Sequence, residues 1–556
     1  MDRHCRIARK QRHVSRPSRG RQRQTTGAAA MTQEFLTPLF EIDDGFCIVY
    51  KGEAHVGTRL RSRVDATAAR LRALGLKPGG RVAICGPKSV DLCVLMLATW
   101  ALGGVAVPLF SGLKAKQMRH ALNDSEPTLV FAASRDFDVV AQAHDGTTRP
   151  LERIDAGDAP GTQAGNGGAC ADWPAVRVAD ADPALIVYTS GSTGQPKGVV
   201  FSRSNLVLGA KSVARFMRLA ADDRVLCLLP FSFDAGLNQF LSALIAGATA
   251  VLIDFVHASQ VEECCAVQRI TSMTAVPGLW SRIGMAAWRD DARLHIRRIG
   301  NTGGHLQADL LRRLQNVFSN ANVFLMYGFT EAFRATCLDP AYVAAKPHSV
   351  GRPIPFASVA VVSEDGRLCG PNEVGELVQF GPLVTLGYRN LPEENAVKFR
   401  PIPDGLLSAL MGPAGRRYGF DPTHAATAAW SGDLVSIDED GDIVYRGRKD
   451  DLIKVNGFRV CAGDVEDACI EAGLAIAIAI GVTGQDEEGI VVFAKAGDAS
   501  PGEREVRDRL RASLPAYMVP RQIVFIDDFP LTANGKFDRQ ALRLLAPQGA
   551  QSGATA

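Results

Sequence analysis

The chain has no C-x-x-C pair and no Cys/His run at metal-ligand spacing. Its twelve cysteines are scattered, with Cys264 and Cys265 the one vicinal pair. That excludes a local zinc scaffold and a secreted disulfide framework, and it reads as buried, reduced thiols in a cytoplasm-like compartment. No apolar h-region follows the basic N-terminus, so this start is not a secretory signal. No uninterrupted apolar run crosses a bilayer either. The stretch "LCVLMLATWALGGVAVPLF", residues 92 to 110, approaches that length, but Gly103, Gly104 and Pro108 divide it into a helix followed by a strand. Internal repeats at solenoid periods are missing too.

What is there is an ordinary globular composition, 46% apolar over 556 residues, enough for roughly three to four domain-sized units. The net charge of +3 hides an asymmetry: residues 1 to 30 carry nine Lys/Arg against the single acid Asp2. That arm is +8 and the remainder −5. An Arg-rich, acid-poor arm suits a transit peptide or an anion-binding tail. The expectation preferred here is that 1–30 is a disordered extension and that translation begins at Met31, where patterned sequence starts.

From Phe46 to about Tyr445, helical patterns alternate with short β-rich runs, as in "ATAARLRALGL", "RVAICG" and "GGVAVPL". This predicts an α/β fold whose large N-terminal domain, 31–449, is built of layered α/β subdomains with parallel sheets. Residues 145–182 and 400–428 read as surface loops. After "GRKDD" the pattern restarts with "VEDACIEAG", "LAIAIAIGV", "IVVFAKAG", a charged helix and "QIVFIDDF", predicting a small C-terminal α+β domain, 450–545, joined by a hinge. Residues 546–556 read as a disordered tail.

"YTSGSTGQPKGVV", residues 188 to 200, packs three glycines, five hydroxyl side chains and one lysine into thirteen positions behind a short apolar strand. Such a loop presents backbone N–H groups and hydroxyls to a phosphate. Thr189, Ser190, Ser192 and Thr193 donate, Gly191, Gly194 and Gly198 admit close approach, and Lys197 brings a mobile cation. A P-loop would require the lysine directly after the last glycine and a hydroxyl residue after the lysine; here Pro196 precedes Lys197 and Gly198 follows it. Another nucleotide chemistry is implied.

Four further clusters lie downstream. "NTGG" ends in Gly303 and Gly304, where a flat ring can approach the backbone. "MYGFTEA" offers Tyr327 as a stacking ring beside Gly328, Thr330 as a hydroxyl donor and Glu331 as a hard-oxygen metal ligand. "WSGDLV" places Asp433 to accept from ribose hydroxyls, and "LTANGKFDRQAL" sets Lys536 on a glycine-containing turn. Singly, each has an ordinary structural explanation; their order along the chain is the informative feature.

That order resembles the AMP-forming adenylating enzymes: acyl-CoA synthetases, amino-acid adenylation domains and beetle-type luciferases. "YTSGSTGQPKGVV", "YGFTEA", "GELVQFGPLVTLGYRN", "WSGDLV", "GRKDDLIKVNGFRV", "LPAYMVP" and "NGKFDR" occur in the family's sequence. "LPFSFDAGLNQ" with "LMYGFTEAFRAT" is most similar to the acyl-CoA ligases associated with bacterial exosortase systems. The resemblance implies ATP-dependent activation of a carboxylic acid, in the first instance a fatty acid, to acyl-AMP with release of pyrophosphate, then transfer to the thiol of CoA. It assigns the 190–198 loop to the ATP phosphates. Adenine goes to Gly303, Gly304, Tyr327 and Gly328, ribose to Asp433 and Arg448, the α-phosphate to Thr330, Mg²⁺ to Glu331, and the reacting centre to Lys536. It places the hinge at Asp450, with Lys454 and Gly457 serving the thioester step on the CoA side. No nucleic-acid partner is expected, and the expected compartment is the cytoplasm.

Two departures from the family pattern bear on the site. Trp430 stands where an arginine is usual, and His305 follows the glycine pair where a small residue is common. Phe233, Asp234, Phe329 and Phe333 are candidate walls of the acyl pocket. Asp234 is read as capping the following helix; the alternative is that it pairs with a substrate ammonium. An amine-bearing substrate, or an acyl group handed to a separate carrier protein, is the corresponding second function. The expected acceptor is free CoA or a separate carrier protein, since residues 537–556 hold no Ser-bearing phosphopantetheine motif.

Overall fold

The computed structural model describes residues 41–144, 150–154, 178–189, 196–418, 420–424, 428–449, 453–455, 458–483, 488–496, 502–532 and 535–546. The fold is mixed α/β, with two large sheets followed by a small C-terminal domain. The apolar run at 92–110 resolves as the sequence implied. Ser89 caps the helix Val90–Ala101 by accepting from the Leu92 N–H, the chain turns through Gly103 at φ +70°, and the strand Val105–Leu109 follows. The helix is buried on nearly every side, and Trp100 donates from its indole to the Ala184 carbonyl at 2.7 Å. Among the described residues no helix is long and apolar enough to cross a membrane.

The first sheet has seven strands, in the order Gly387–Tyr388, Lys197–Ser202, Pro183–Thr189, Val105–Leu109, Arg81–Cys85, Leu129–Ala133, Leu151–Ile154. Its last strand falls inside the stretch read as loop, because Leu151–Ile154 extends the parallel sheet beside Leu129–Ala133. In the second sheet six strands run parallel: Cys47–Tyr50, Thr249–Leu252, Arg224–Cys227, Ser272–Ala275, Arg298–Asn301 and Asn322–Tyr327. Their buried runs are the pattern expected of strands covered on both faces.

Beyond Tyr327 the sheet turns antiparallel through Thr336–Leu338, Ser349–Pro353, Ile443–Arg448, Ala428–Ile437, Val374–Phe380 and Ser358–Val362. The expected parallel sheets are present, and this antiparallel extension is an addition to them. A parallel pair needs a crossover of a dozen or more residues, usually a helix, and the segments joining most of these strands carry none. Residues 400–428 are likewise not plain loop. The helix Asp404–Met411 buries Leu406 and Leu410, Tyr418 donates to the Cys369 carbonyl at 2.8 Å, and Phe420 packs edge-on against Phe380.

In the small domain the strands Leu474–Thr483 and Glu488–Ala496 pair antiparallel, and Gln522–Phe525 adds in parallel. The alternation in "LAIAIAI" faces two cores. Ile476, Ile478 and Ile480 meet Phe493 and Leu542 on one side, while Leu474, Ala477 and Ala479 join the core beneath the helix Ala462–Glu471 on the other. Period-two alternation with both faces apolar marks a strand layer covered on both sides.

Candidate active site

The parallel strands of the second sheet end on one edge, and their carboxyl ends supply one set of site residues. In open α/β sheets ligands bind in the crevice outside that edge. Arg298–Asn301 leads into Gly303 and Gly304, Asn322–Tyr327 ends on Tyr327, Ser272–Ala275 leads into Pro277, and Arg224–Cys227 leads, through 228–232, to Phe233 and Asp234. The antiparallel extension delivers the second set, since Asp433 and Arg448 are register partners on adjacent strands.

These two sets meet. Tyr327 donates its hydroxyl to Asp433 Oδ2 at 2.5 Å, and Arg448 Nη1 lies 3.2 Å from Asp433 Oδ1. Burial raises the Asp433 carboxyl, opposed by Arg448, Tyr327, Lys398 and Lys536. Burial, together with the Asp433 carboxylate, likewise raises the Tyr327 phenol, which therefore stays a donor. The Tyr327 ring is flanked by Phe329 and Tyr445, with centroids 6.3 and 5.9 Å away.

Lys536 enters this cleft from the small domain. Its turn is closed by Thr532 N–H to Lys536 O at 2.7 Å and by Gly535 at φ +76°. The ammonium lies 5.7 Å from the Phe233 ring centroid. A methyl on Gly303, itself at φ +76°, would come within 3.0 Å of Lys536 Cε, so the absent side chain is what admits the lysine. Burial lowers the Lys536 ammonium, and the carboxylates of Asp234, Asp433 and Glu331 pull it back up against Arg448.

Glu331 lies in the short turn Thr330–Ala332, with half-buried Thr330 just before it and Gly328 two residues earlier. The Tyr388 hydroxyl donates to Glu331 Oε1, Thr385 binds the Glu331 carbonyl through both its N–H and its hydroxyl at 2.9 Å, and Lys398 stands 4.0 Å from Oε1. Lys197, register partner of Thr189 on the neighbouring strand, is held by Glu394 at 2.7 Å. Ser190, Gly191, Ser192, Thr193 and Gly194 lie outside the described residues, as do Asp450 and Gly457. Lys454 is described through its backbone, in the strand Ile453–Val455.

Two expectations about the acyl side change. Asp234 is the first residue of the helix Asp234–Ile245, not its cap: Phe233 holds that position and no side-chain cap bond forms. Instead Asp234 is buried, with Oδ1 lacking a hydrogen-bond partner and the carboxyl pushed up to about 6 by burial, against the pull of Arg334 and Lys536. Phe333, at φ +62°, turns its ring onto Gly209, where an added methyl would meet it at 2.4 Å. It therefore packs in the core of the large domain. Phe329 packs between Tyr327 and Lys398, whose ammonium is 5.2 Å from its ring.

Sequence reasoning missed Tyr388, Glu394, Lys398 and Arg334. Tyr388 sits in "LGYRN", a stretch that was matched without its hydroxyl being singled out; Glu394 and Lys398, on the helix Pro392–Lys398, had no local signal. Arg334 is fully surrounded, its Nε has no hydrogen-bond partner, and burial lowers its guanidinium against the pull of Asp234. The Trp430 replacement is accounted for locally: Arg400 stacks 3.6 Å over its ring and accepts from its indole through the backbone carbonyl at 3.3 Å.

The carboxyl edge of a parallel sheet, bearing an aromatic–carboxylate pair and reached by a lysine from the small domain, is where open α/β folds bind their ligands. The chain belongs to the AMP-binding enzyme family, which matches residues 44–389, and the family of AMP-binding enzyme C-terminal domains matches 464–536. It is 30% identical to feruloyl-CoA synthase of an Amycolatopsis species, over 88% of this chain and 94% of that one. It is 28% identical to tyrocidine synthase 3 of Brevibacillus parabrevis over 92% of this chain, but spans 8% of that synthase's length. Among solved structures, ATP-bound MatB from Rhodopseudomonas palustris is 26% identical and superposes with a TM-score of 0.79 over 93% of this chain and 99% of that one.

Proposed function

We propose that the protein activates a carboxylic acid with ATP, releasing pyrophosphate and forming acyl-AMP, and then transfers the acyl group to the thiol of CoA. The observation that carries this reading is Lys536, brought from the small domain to Gly303 and set within electrostatic reach of Asp234, Asp433 and Glu331. Attack of a carboxylate oxygen on the α-phosphorus brings two anions together while the bond to the β-phosphate breaks. A preorganised cation at that point stabilises the charge that develops. Tyr327 and the Gly303–Gly304 backbone would face adenine, Asp433 with Arg448 the ribose, and Thr330 the α-phosphate. Lys197 and the 190–194 loop would receive the departing pyrophosphate, Lys197 exchanging Glu394 for phosphate oxygens.

Mg²⁺ fits this donor set, because Glu331 is a hard-oxygen ligand fixed by Tyr388 and Thr385 beside the Thr330 hydroxyl. When bound, the ion supplies charge neutralisation at the phosphates. The likeness to feruloyl-CoA synthase supports CoA as the acceptor. The two domains, 31–449 and 450–545, would rearrange about Asp450 between the half-reactions, bringing Lys454 and Gly457 to the thiol.

The acid is proposed to be amine-free, with fatty acids tested first, since Arg334 already opposes the Asp234 charge. One observation favours a second reading. Asp234 Oδ1 is buried without a partner, and a buried carboxylate in that state is costly, so a substrate ammonium would satisfy it, with transfer to a separate carrier protein. Substrate-dependent pyrophosphate exchange by protein 31–556 with ATP, Mg²⁺ and a panel of fatty, aryl and amino acids separates the two. Exchange with amine-free acids supports the first reading, exchange with amino acids alone the second, and no exchange with any acid overturns both.

A further inference from the structure

We propose that His305, His348 and Asp467 form a metal site, of the class taken by Zn²⁺, that clips the small domain to the large one. His305 follows the glycine pair at the end of the strand Arg298–Asn301, and His348 precedes the strand Ser349–Pro353, both in the large domain. Asp467 projects from the helix Ala462–Glu471 of the small domain. One ligand atom from each lies within 4.8 Å of the other two.

His305 Nε2 is 3.4 Å from Asp467 Oδ1 and His348 Nδ1 is 4.0 Å from Asp467 Oδ2. Two ligands bound tetrahedrally to one ion at about 2.0–2.1 Å stand about 3.3 Å apart, so small rotations of the rings suffice. The imidazoles lie 6.2 Å apart between centroids and within 13° of parallel. His305 Nε2 is shielded from solvent and faces Asp467 Oδ1 at ion-pair distance, so the nitrogen and the carboxylate converge on one point. The three side chains keep 24%, 44% and 34% of their surfaces exposed, which gives an ion a route in and leaves a fourth position for water.

Two imidazoles and one carboxylate select a borderline ion such as Zn²⁺ or Co²⁺ over Mg²⁺ or Ca²⁺, which take oxygen shells. Arg446, near Asp467, is the opposing charge. The same seam carries Gln307, which donates to the Ala477 carbonyl at 2.7 Å. Gln307 lies three residues beyond Gly304, so an ion here would hold the small domain in the placement that brings Lys536 to Gly303. The site stands on geometry alone; its consequence, slower thioester transfer than adenylation, rests on the function proposed above.

The test is titration of metal-stripped full chain with Co²⁺, reading the intense visible absorption of a tetrahedral centre, followed by displacement with Zn²⁺. Wild type should bind one equivalent. His348→Ala and Asp467→Asn, which change different domains, should each weaken binding by about 100-fold, the upper end of what losing even an outer-shell partner costs. Micromolar Zn²⁺ should also slow CoA thioester formation relative to pyrophosphate exchange in wild type, and not in His348→Ala. Absence of a tetrahedral Co²⁺ spectrum in wild type, or its persistence in both variants, overturns the site. Co²⁺ binding in a protein that shows no exchange with any acid would leave the site standing and remove the proposed function.

Discussion

The Gly535 carbonyl occupies the place where a side chain on Gly278 would have to go: a Cβ built there comes within 2.2 Å of that oxygen. Gly278 is the second residue of the helix Pro277–Gly284 in the large domain, and Gly535 precedes Lys536 on the small one. Their contact is therefore a gauge of the placement that delivers the lysine. Gly278→Ala should leave equilibrium ATP binding to the large domain intact and lower acid-dependent pyrophosphate exchange by on the order of 10²-fold, the cost of about 1 Å of misplacement. Equal loss of binding and exchange would argue instead for damage to the helix.

Lys536 itself should act on the transition state more than on binding. Removing one preorganised donor typically costs on the order of 10²- to 10³-fold, about 3 to 4 kcal/mol. Lys536→Ala should reduce acyl-adenylate formation by that factor with ATP affinity nearly unchanged. Adenylate formation at the wild-type rate, measured in a single turnover, would remove Lys536 from the reaction.

The residues that could be read from the sequence are those carried on short local motifs. Gly303, Glu331 and Lys536 sit in short turns, and Tyr327 and Asp433 on strands beside a glycine; each belongs to a short local motif, and the structure brings the five towards one another. Lys398 and Glu394 escaped because nothing beside them in sequence marks a function, and Arg334, three residues after Glu331, because its partner is remote; folding alone brings Lys398 to Glu331 and Arg334 towards Asp234. The helix Asp404–Met411 was hidden by flanking Pro and Gly, which punctuate turns as readily as they bracket a helix. His305 was visible only as an odd neighbour of a glycine pair, since its partners come from other parts of the chain. Asp234 misled for a different reason. An acid at a helix start reads as a cap, but one position further in, the side chain is left facing the cleft.

Asp223 should be a large single contributor to stability. Its carboxylate is fully buried, accepts from the Thr271 hydroxyl at 2.6 Å, and is reached by Arg297 at 2.6 Å and Arg298 at 2.7 Å. Burial alone would raise this carboxyl, but those donors and the Ala220 N–H outweigh it, so its value falls below the usual carboxylate range. Asp223→Ala removes the buried carboxylate partner of Arg298 and of the Thr271 hydroxyl, while Arg297, half exposed, keeps Asp222 at 3.0 Å; it should cost about 1 to 3 kcal/mol in denaturant unfolding. A folded value below the unfolded one means that this stability is present above about pH 4 and is lost as pH falls through the folded value. The variant should therefore show a shallower acid limb than wild type, and a parallel limb would place the acid sensitivity elsewhere.

Asp234→Asn decides the substrate class. The wild-type carboxyl, pushed up to about 6, is ionised at neutral pH at the expense of folding. A raised value means stability falls as pH rises from about 4 through 6, so the asparagine variant should gain stability relative to wild type above pH 6 and lose that advantage below about pH 4. With an amine-free acid, the charge has no substrate partner. The variant should then keep kcat/KM within a few-fold at neutral pH and lose any inflection near pH 6. With an amine-bearing acid, the substitution removes the partner of a desolvated ammonium, a loss of about 3 to 5 kcal/mol or on the order of 10²- to 10³-fold in kcat/KM. Kinetics with one fatty acid and one amino acid, in wild type and variant at two pH values, would choose between them.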